Sequence, residues 1–172
     1  MSTAATTRRS DDATVRRALR EGDVQAMADL HRRVYGPEYG RNEDFVASVR
    51  RGVEEARRGG WPQRSGAVWL VERCGRLVGS LALTDEGGGV GRVRWFVLEA
   101  DVRGHGLGRS LVAELLDEAR CSGMRRLVLE TFSALTAAAR IYRDAGFELR
   151  WSRERDDWGP PVTYQGYELE LL

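Results

Sequence analysis

One stretch combines residue types and spacing suited to a phosphorylated ligand: Phe96, Val97, Leu98, then Arg103-Gly104-His105-Gly106-Leu107-Gly108-Arg109. An apolar run with the pattern of a strand leads into alternating glycines and then into an amphipathic helix. Glycine lets backbone N–H groups approach a ligand with no Cβ in the way. The start of the helix adds N–H donors without partners and the positive end of its dipole. Together they form an anion site suited to a diphosphate, and Arg103 and Arg109 flank it, able to add charge-assisted contacts. Alone, Gly-x-Gly-x-Gly also describes a glycine-rich turn. It could equally begin a dinucleotide fingerprint, with Glu130 ending the next strand near the place of a ribose-binding acid. Two features oppose that reading. The third glycine of G-x-G-x-x-G would fall at Arg109, and the roughly 40 residues after Glu130 are too few to finish a doubly wound sheet. A Walker A loop is excluded, because all 27 basic residues are arginine and that motif needs its lysine.

The elements around the loop follow from periodicity and punctuation. Residues 1–12 are small, polar and charged, the composition of a disordered tail, and 13–172 form one domain. A strand is expected over 14–19. Gly22-Asp23 opens a helix with Asp23 as N-cap and Val24, Met27, His31 and Val34 on its apolar stripe; His31 reads there as a packed histidine rather than a ligand. The segment from Tyr35 to Arg41 breaks this helix. Asn42 caps the next, with Glu43 and Asp44 in its first turn, Phe45, Val49, Val53 and Ala56 inward, and Gly59-Gly60 at its end. Residues 67–73 and 76–84 form a hairpin around Cys74-Gly75, and 85–89 turn into a strand over 91–98. A helix over 106–121 presents Leu107, Leu111, Leu115 and Ala119 to one side. A strand over 126–131, a helix over 133–145 and strands over 147–153 and 162–171 complete the chain. In the last strand the apolar phase shifts at Gly166, which predicts a β-bulge there. The order is β-α-α-β-β-β-α-β-α-β-β, an α+β chain in which a meander leads into a β-α-β-α unit.

Arg103-x-x-Gly106-x-Gly108 resembles the Arg/Gln-x-x-Gly-x-Gly/Ala acyl-CoA loop of the GNAT superfamily. Downstream, Ile141-Tyr142-Arg143-Asp144-Ala145-Gly146-Phe147 is similar to the family's Leu-Tyr-x-x-x-Gly-Phe signature. Val34 to Gly40 and Gln165 to Leu171 resemble the acetyltransferase half of bacterial MarR–GNAT fusions, with no winged-helix half in this sequence. The likeness runs from about residue 14 to the C-terminus and is most specific over 94–147.

The resemblance implies a three-layer fold. Its central sheet is mixed, mostly antiparallel and of about seven strands, with helices on both faces and a splayed cofactor-binding strand. It implies an N-acetyltransferase that moves an acetyl group from acetyl-CoA, or another short acyl-CoA, to a primary amine by direct attack in a ternary complex. By motif position, backbone groups of Phe96, Val97 and Leu98 would meet the pantetheine arm, with an N–H near Leu98 facing the thioester carbonyl as an oxyanion donor. Arg103, Gly104, His105, Gly106, Leu107, Gly108 and Arg109 would hold the diphosphate. Glu130 matches a glutamate that serves as base in ribosomal-protein N-terminal acetyltransferases, and Tyr142 the family's acid. Relatives often carry an asparagine shortly after that base; here the position is Leu135. Tyr35, Glu38, Tyr39, Asp157 and Trp158 lie on segments that face the acceptor in relatives. A homodimer, common in the family, is the assembly it suggests.

Chemistry alone asks for two of these roles. A lysine-like amine has a pKa of about 10.4, so only about one molecule in 10³ is neutral near pH 7. A base must take its proton, and an acid should meet the departing thiolate. A non-catalytic acyl-CoA-binding regulatory module would share the loop but tolerate loss of Glu130 and Tyr142. A nicotinamide-dependent enzyme would be stabilised by NAD instead.

Composition sets outer limits. The 172 residues suit one domain, and 42% apolar residues suffice for a core. A net charge of +1, with arginine pairs interleaved among acids, argues against a general nucleic-acid binder. No stretch approaches the roughly 20 apolar residues of a membrane span, and no signal peptide opens the chain, so a cytoplasmic protein is expected, a bacterial one if the resemblance to the fusions holds. Cys74 and Cys121 show no metal spacing and no CxxC, consistent with a reducing compartment and no metal.

Overall fold

In the computed structural model, residues 7–9 and 12–172 are described. Strands β1 (Thr7–Arg9), β2 (Ala13–Arg16), β3 (Ala67–Arg73), β4 (Arg76–Gly87), β5 (Val90–Leu98), β6 (Arg126–Phe132), β7 (Glu148–Arg155) and β8 (Val162–Glu170) form one sheet in the order β1-β2-β3-β4-β5-β6-β8-β7. Every neighbouring pair is antiparallel except β5 and β6. Helices α1 (Asp23–Tyr39) and α2 (Glu43–Arg58) cover one face; α3 (Leu107–Cys121) and α4 (Thr136–Asp144) cover the other. The mostly antiparallel, three-layer arrangement is the expected one. Of the segment expected as a tail, residues 1–6, 10 and 11 lie outside the described residues, while Thr7–Arg9 pairs with β2 as the eighth strand. No helix among the described residues is long and apolar enough to cross a membrane.

The alternation within β3 and β4 explains the two layers. Trp69, Val71, Leu81 and Leu83 point to the α3 side, and Val68, Leu70 and Ala82 to the α1/α2 side, all fully buried. Leu111, Leu115 and Ala119 of α3 close one core; Met27, Leu30, Val49 and Val53 close the other. Truncating one such leucine to alanine costs about 2–5 kcal/mol, several times what an exposed ion pair contributes.

Three local expectations need correcting. First, α1 does not break at Tyr35 but runs through Pro37 to Tyr39. Proline removes one N–H near the helix end, where Gly40 (φ 65°) already closes the turn by donating to Gly36 O at 2.9 Å. Second, Asp23 is the first helical residue and not the cap, which is Gly22 (φ 86°). The buried Asp23 carboxylate instead accepts from Arg16 Nη1 and Nη2 at 2.7 and 2.9 Å, and Arg16 also reaches Glu72, so one guanidinium ties β2, α1 and β3. Third, the bulge lies not in β8 but opposite it. β6–β8 pairing is continuous through Gly166, whereas β7 skips a residue between Leu149 and Trp151. The apolar shift at Gly166 has another cause: Tyr164 packs into the α1/α2 core and Tyr167 into the α3 core. Gly166 itself is where the Trp151 indole lies, and any Cβ would overlap it.

Strands β5 and β6 form a fork. They pair only where Val90, Gly91 and Arg92 meet Arg126, Leu127 and Val128, and then part. A bulge in β5 accounts for the divergence. Between the pairs Ala82–Arg94 and Ser80–Val97, two residues of β5 oppose the single Leu81. Trp95 takes a left-handed φ of 49°, a strained state for an aromatic residue that costs about 1–3 kcal/mol. It is held by the Ser80 hydroxyl, which donates to Trp95 O at 2.6 Å, and by edge contact with Trp61 at 5.4 Å. Such a bulge bends the strand that carries it.

Candidate active site

Beyond β5, a 3-10 turn (Ala100–Val102) delivers the chain to the glycine loop on the α3 side of the fork. Gly104 (φ 82°) and Gly106 (φ 79°) adopt backbone states that side chains rarely take, and a Cβ at either would meet nothing within 4 Å. Space above them is therefore open. Gly108 serves packing instead. A Cβ there would lie 3.0 Å from Ile141 Cδ1 and 3.4 Å from Phe96 Cζ, so its absence lets α3 approach β5 and α4. Ser110 donates to Gly106 O at 3.0 Å, the first amide of the helix to find a backbone acceptor. Among the described residues the six amides of residues 104–109 donate to no protein group. Leu107 is buried and anchors the helix start; His105 is exposed.

The flanking arginines are already engaged. Arg103 forms a bidentate pair with Glu38 at 2.9 Å on both arms, and its Nε donates to Leu98 O at 2.7 Å. Arg109 pairs with Asp144 of α4 at 2.6 Å. These guanidiniums brace the loop to α1 and α4, and the open donors are backbone. Along the splayed strand, Phe96 O accepts from the Tyr35 hydroxyl at 3.1 Å and Leu98 O from Arg103, while Val97 pairs with Ser80.

Two tyrosines meet at Phe96 from opposite faces. Tyr35 rises from the α1/α2 core; Tyr142 comes from the α3 core, its ring 6.1 Å from Phe96 and 5.8 Å from Phe147. Burial pushes the Tyr142 phenol well above its ordinary value, and the nearby Tyr35 adds to the effect. The same desolvation raises Tyr35. Both stay neutral donors across the physiological range.

Glu130 stands exposed on β6, facing the α1/α2 side with Phe132. Its level in the fork follows from the register. Arg92 and Val128 are the last paired residues, so Arg94 and Glu130 are the first residues of that facing beyond the parting point. Tyr39 and Trp158 join an aromatic wall: Tyr39 lies 5.6 Å from Phe132, and Trp158 lies 5.4 Å from Phe45 and 6.1 Å from Tyr164. Glu38 is spent on Arg103, and Asp157 is exposed and pairs with Arg155. The structure thus groups Tyr35, Tyr39 and Trp158 in one wall and turns Glu38 and Asp157 toward arginines.

Sequence reasoning missed Arg94 and Arg41. Arg41 is buried, donating to Tyr39 O and Pro160 O at 3.0 and 2.8 Å. Nothing in composition distinguishes them among 27 arginines; only strand register and the packing of α2 reveal them.

Comparisons with known proteins agree on one family. The model of the acetyltransferase (GNAT) family matches residues 24–147. The N-acetyltransferase YjgM of Escherichia coli K12 is 30% identical over 137 residues, covering 78% of this chain and 81% of its own length. An IAA acetyltransferase of Azospirillum brasilense is 34% identical over 92 residues, 53% of this chain; the matched part is 57% of that relative's length. The crystal structure of a phosphinothricin acetyltransferase from Sinorhizobium meliloti in complex with AcCoA superposes with a TM-score of 0.70, covering 94% of this chain and 89% of that one. At 16% identity it bears on fold alone.

Proposed function

The chain belongs to the acetyltransferase (GNAT) family, and from that premise we propose that it moves an acetyl group from acetyl-CoA to a primary amine in a ternary complex. One observation carries the reading: a fork between β5 and β6 opens directly beside six amides, at and just before the start of α3, that have no acceptor among the described residues. A diphosphate fits there, since the donors are backbone, the space over Gly104 and Gly106 is open, and the helix dipole favours negative charge. Bound there, acetyl-CoA would supply the activated acyl carbonyl and a thiol leaving group. The two sides of the sheet divide the work, with the nucleotide loop on the α3 side and the acceptor on the α1/α2 side.

Glu130, exposed at the mouth of the fork, takes the proton of the incoming ammonium directly or through water. Tyr142 acts from the opposite side. An ordinary thiol has a pKa near 8.5, whereas burial lifts this phenol far above that. Complete proton transfer from it to a thiolate would run uphill, so its part is to donate a hydrogen bond to the departing sulfur. The aromatic wall of Tyr35, Tyr39 and Trp158 lines the acceptor side and excludes water, which strengthens every polar contact within.

Two measurements test this reading. CoA and acetyl-CoA raise the melting temperature, and NAD and ATP do not. Thiol release from acetyl-CoA over an amine library then separates transfer from mere binding. A melting curve indifferent to CoA would remove the central support.

A further inference from the structure

Arg94 is a half-buried cation that, among the described residues, forms no ion pair or hydrogen bond. Its guanidinium lies 4.3 Å over the Trp95 ring. A Cβ at Gly52 of α2 would come within 2.9 Å of its Nη2, so the absent side chain makes room for it. Among the described residues it forms no ion pair, whereas neighbouring Arg92 is paired with Glu86 at 2.9 Å and Arg155 with Asp157. Stacking and partial burial strip water from one face without returning an anion. Burial works against its charge and pulls its pKa below the ordinary arginine value. Glu86, then Glu55, then Glu130 favour its charge from a distance, Arg92 opposes it, and none of these carboxylates pairs with it directly.

Register makes the placement specific. Past the last pair, Arg92–Val128, the strands diverge with Arg94 on one prong and Glu130 on the other, both on the α1/α2 side. Among the described residues, the carboxylates Glu55 of α2 and Glu130 act on Arg94 electrostatically without pairing with it, and of the two cations on this side, Arg41 and Arg94, only Arg41 is bonded to protein acceptors. Arg41 is satisfied by carbonyls; Arg94 is not. A half-buried cation without a partner is costly unless a ligand supplies the anion. An amine drawn to Glu130 and an anion drawn to Arg94 describe one small zwitterion lying across the fork.

We propose that the acceptor is an amine bearing a carboxylate, an amino acid or a close analogue, and that Arg94 on the splayed strand binds that carboxylate while the amine faces Glu130. The proposal rests on the acetyl-transfer reading and narrows it from amines in general to amino acids. Arginine suits this role because its planar fork matches a carboxylate bidentately.

The test uses the full chain with acetyl-CoA and a panel of free amino acids, each paired with its own amide. The amide's α-amine is less basic and more of it is neutral, so intrinsic reactivity favours the amide and cannot mimic carboxylate recognition. For the turned-over side chain, kcat/KM of the acid exceeds that of the amide by about 10²-fold, the loss expected when a charge-assisted pair is left unmade. Arg94→Gln brings that ratio toward one, and Arg94→Lys keeps part of it. A folding defect would lower both members together and leave the ratio intact. A wild-type ratio near one, or a full ratio in Arg94→Gln, overturns the assignment while leaving acetyl transfer standing. No CoA stabilisation, or no thiol release with any amine, defeats acetyl transfer itself and this inference with it.

Discussion

On the α3 side of the fork the chain leaves its donors open, while on the α1/α2 side it spends them. The amides of residues 104–109 have no acceptors among the described residues, and two glycines stand below empty space. Across the sheet, the Tyr35 hydroxyl, Arg41, Arg103 and Arg155 all donate to groups of the protein itself. Among the described residues, the Arg94 guanidinium and the Tyr164 hydroxyl have no hydrogen-bond partner there. The contrast is chemical. A diphosphate is one ligand, and any backbone with the right bend can hold it. An acceptor must be distinguished from others, so its side is a fixed aromatic wall with few polar openings.

The sharpest way to break this contrast is to strain one left-handed glycine on each side. Gly106 and Gly22 both have φ near +80°, and a Cβ at either meets nothing within 4 Å. Valine should cost each variant a comparable amount of stability, roughly 1–2 kcal/mol. Only Gly106→Val should also lose CoA, by about 10²-fold or more, or roughly 3 kcal/mol by titration calorimetry. Equal CoA affinity in the two variants would put the diphosphate elsewhere.

The acceptor side should be the acid-labile one. His31 is buried in α1, its Nδ1–H donating to Met27 O at 2.7 Å, among the rings of Tyr35 and Phe45. Desolvation lowers its pKa from 6.5 to about 4. The folded state therefore holds it neutral while the unfolded chain binds a proton more readily. Its stabilisation is complete above pH 6.5 and is lost as pH falls through 4, about 3 kcal/mol in all. Urea midpoints measured between pH 7 and 4 should fall steeply in the wild type and less so in His31→Leu. Parallel slopes would mean that another group governs the acid limb.

The same contrast explains what could be read from the sequence. The glycine loop and the start of α3 were legible because glycine spacing and helix start are local, and β3 and the Asn42 cap came out where periodicity and residue type placed them. The bulge at Trp95 left no mark, since it is carried by a tryptophan and fixed by Ser80 from another strand. Gly166 misled for a related reason: a change of buried face and a bulge leave the same apolar pattern, and only the partner strand tells them apart. That Arg94 and Glu130 stand on opposite prongs of one fork follows only from β6 running parallel to β5 and parting from it after three residues.

Tyr142 links the two sides, and a conservative change sharpens its role. Tyr142→Phe keeps the ring that packs on Phe96 and Phe147 and removes only the hydroxyl. Turnover should drop about 10-fold to 30-fold, the scale of one hydrogen bond to a charged leaving group, with KM for acetyl-CoA within about threefold. Equal losses in kcat and in CoA affinity would make it a binding residue.

The smallest effect concerns the contact that joins the two regions, Arg103 to Glu38. Both side chains are about one-third exposed, so the pair itself should contribute under about 1 kcal/mol despite its bidentate geometry. Its value lies in what it holds: Arg103 Nε also grips Leu98 O, at the end of the splayed strand. If Arg103 is a brace, then Glu38→Gln and Arg103→Gln should each weaken CoA about twofold to threefold, and the double variant should be no worse than either alone, because both break one link. If the guanidinium instead belongs to the diphosphate, freeing it by Glu38→Gln should tighten CoA. The sign of that single change in affinity decides whether the loop is held from the acceptor side or merely stands beside it.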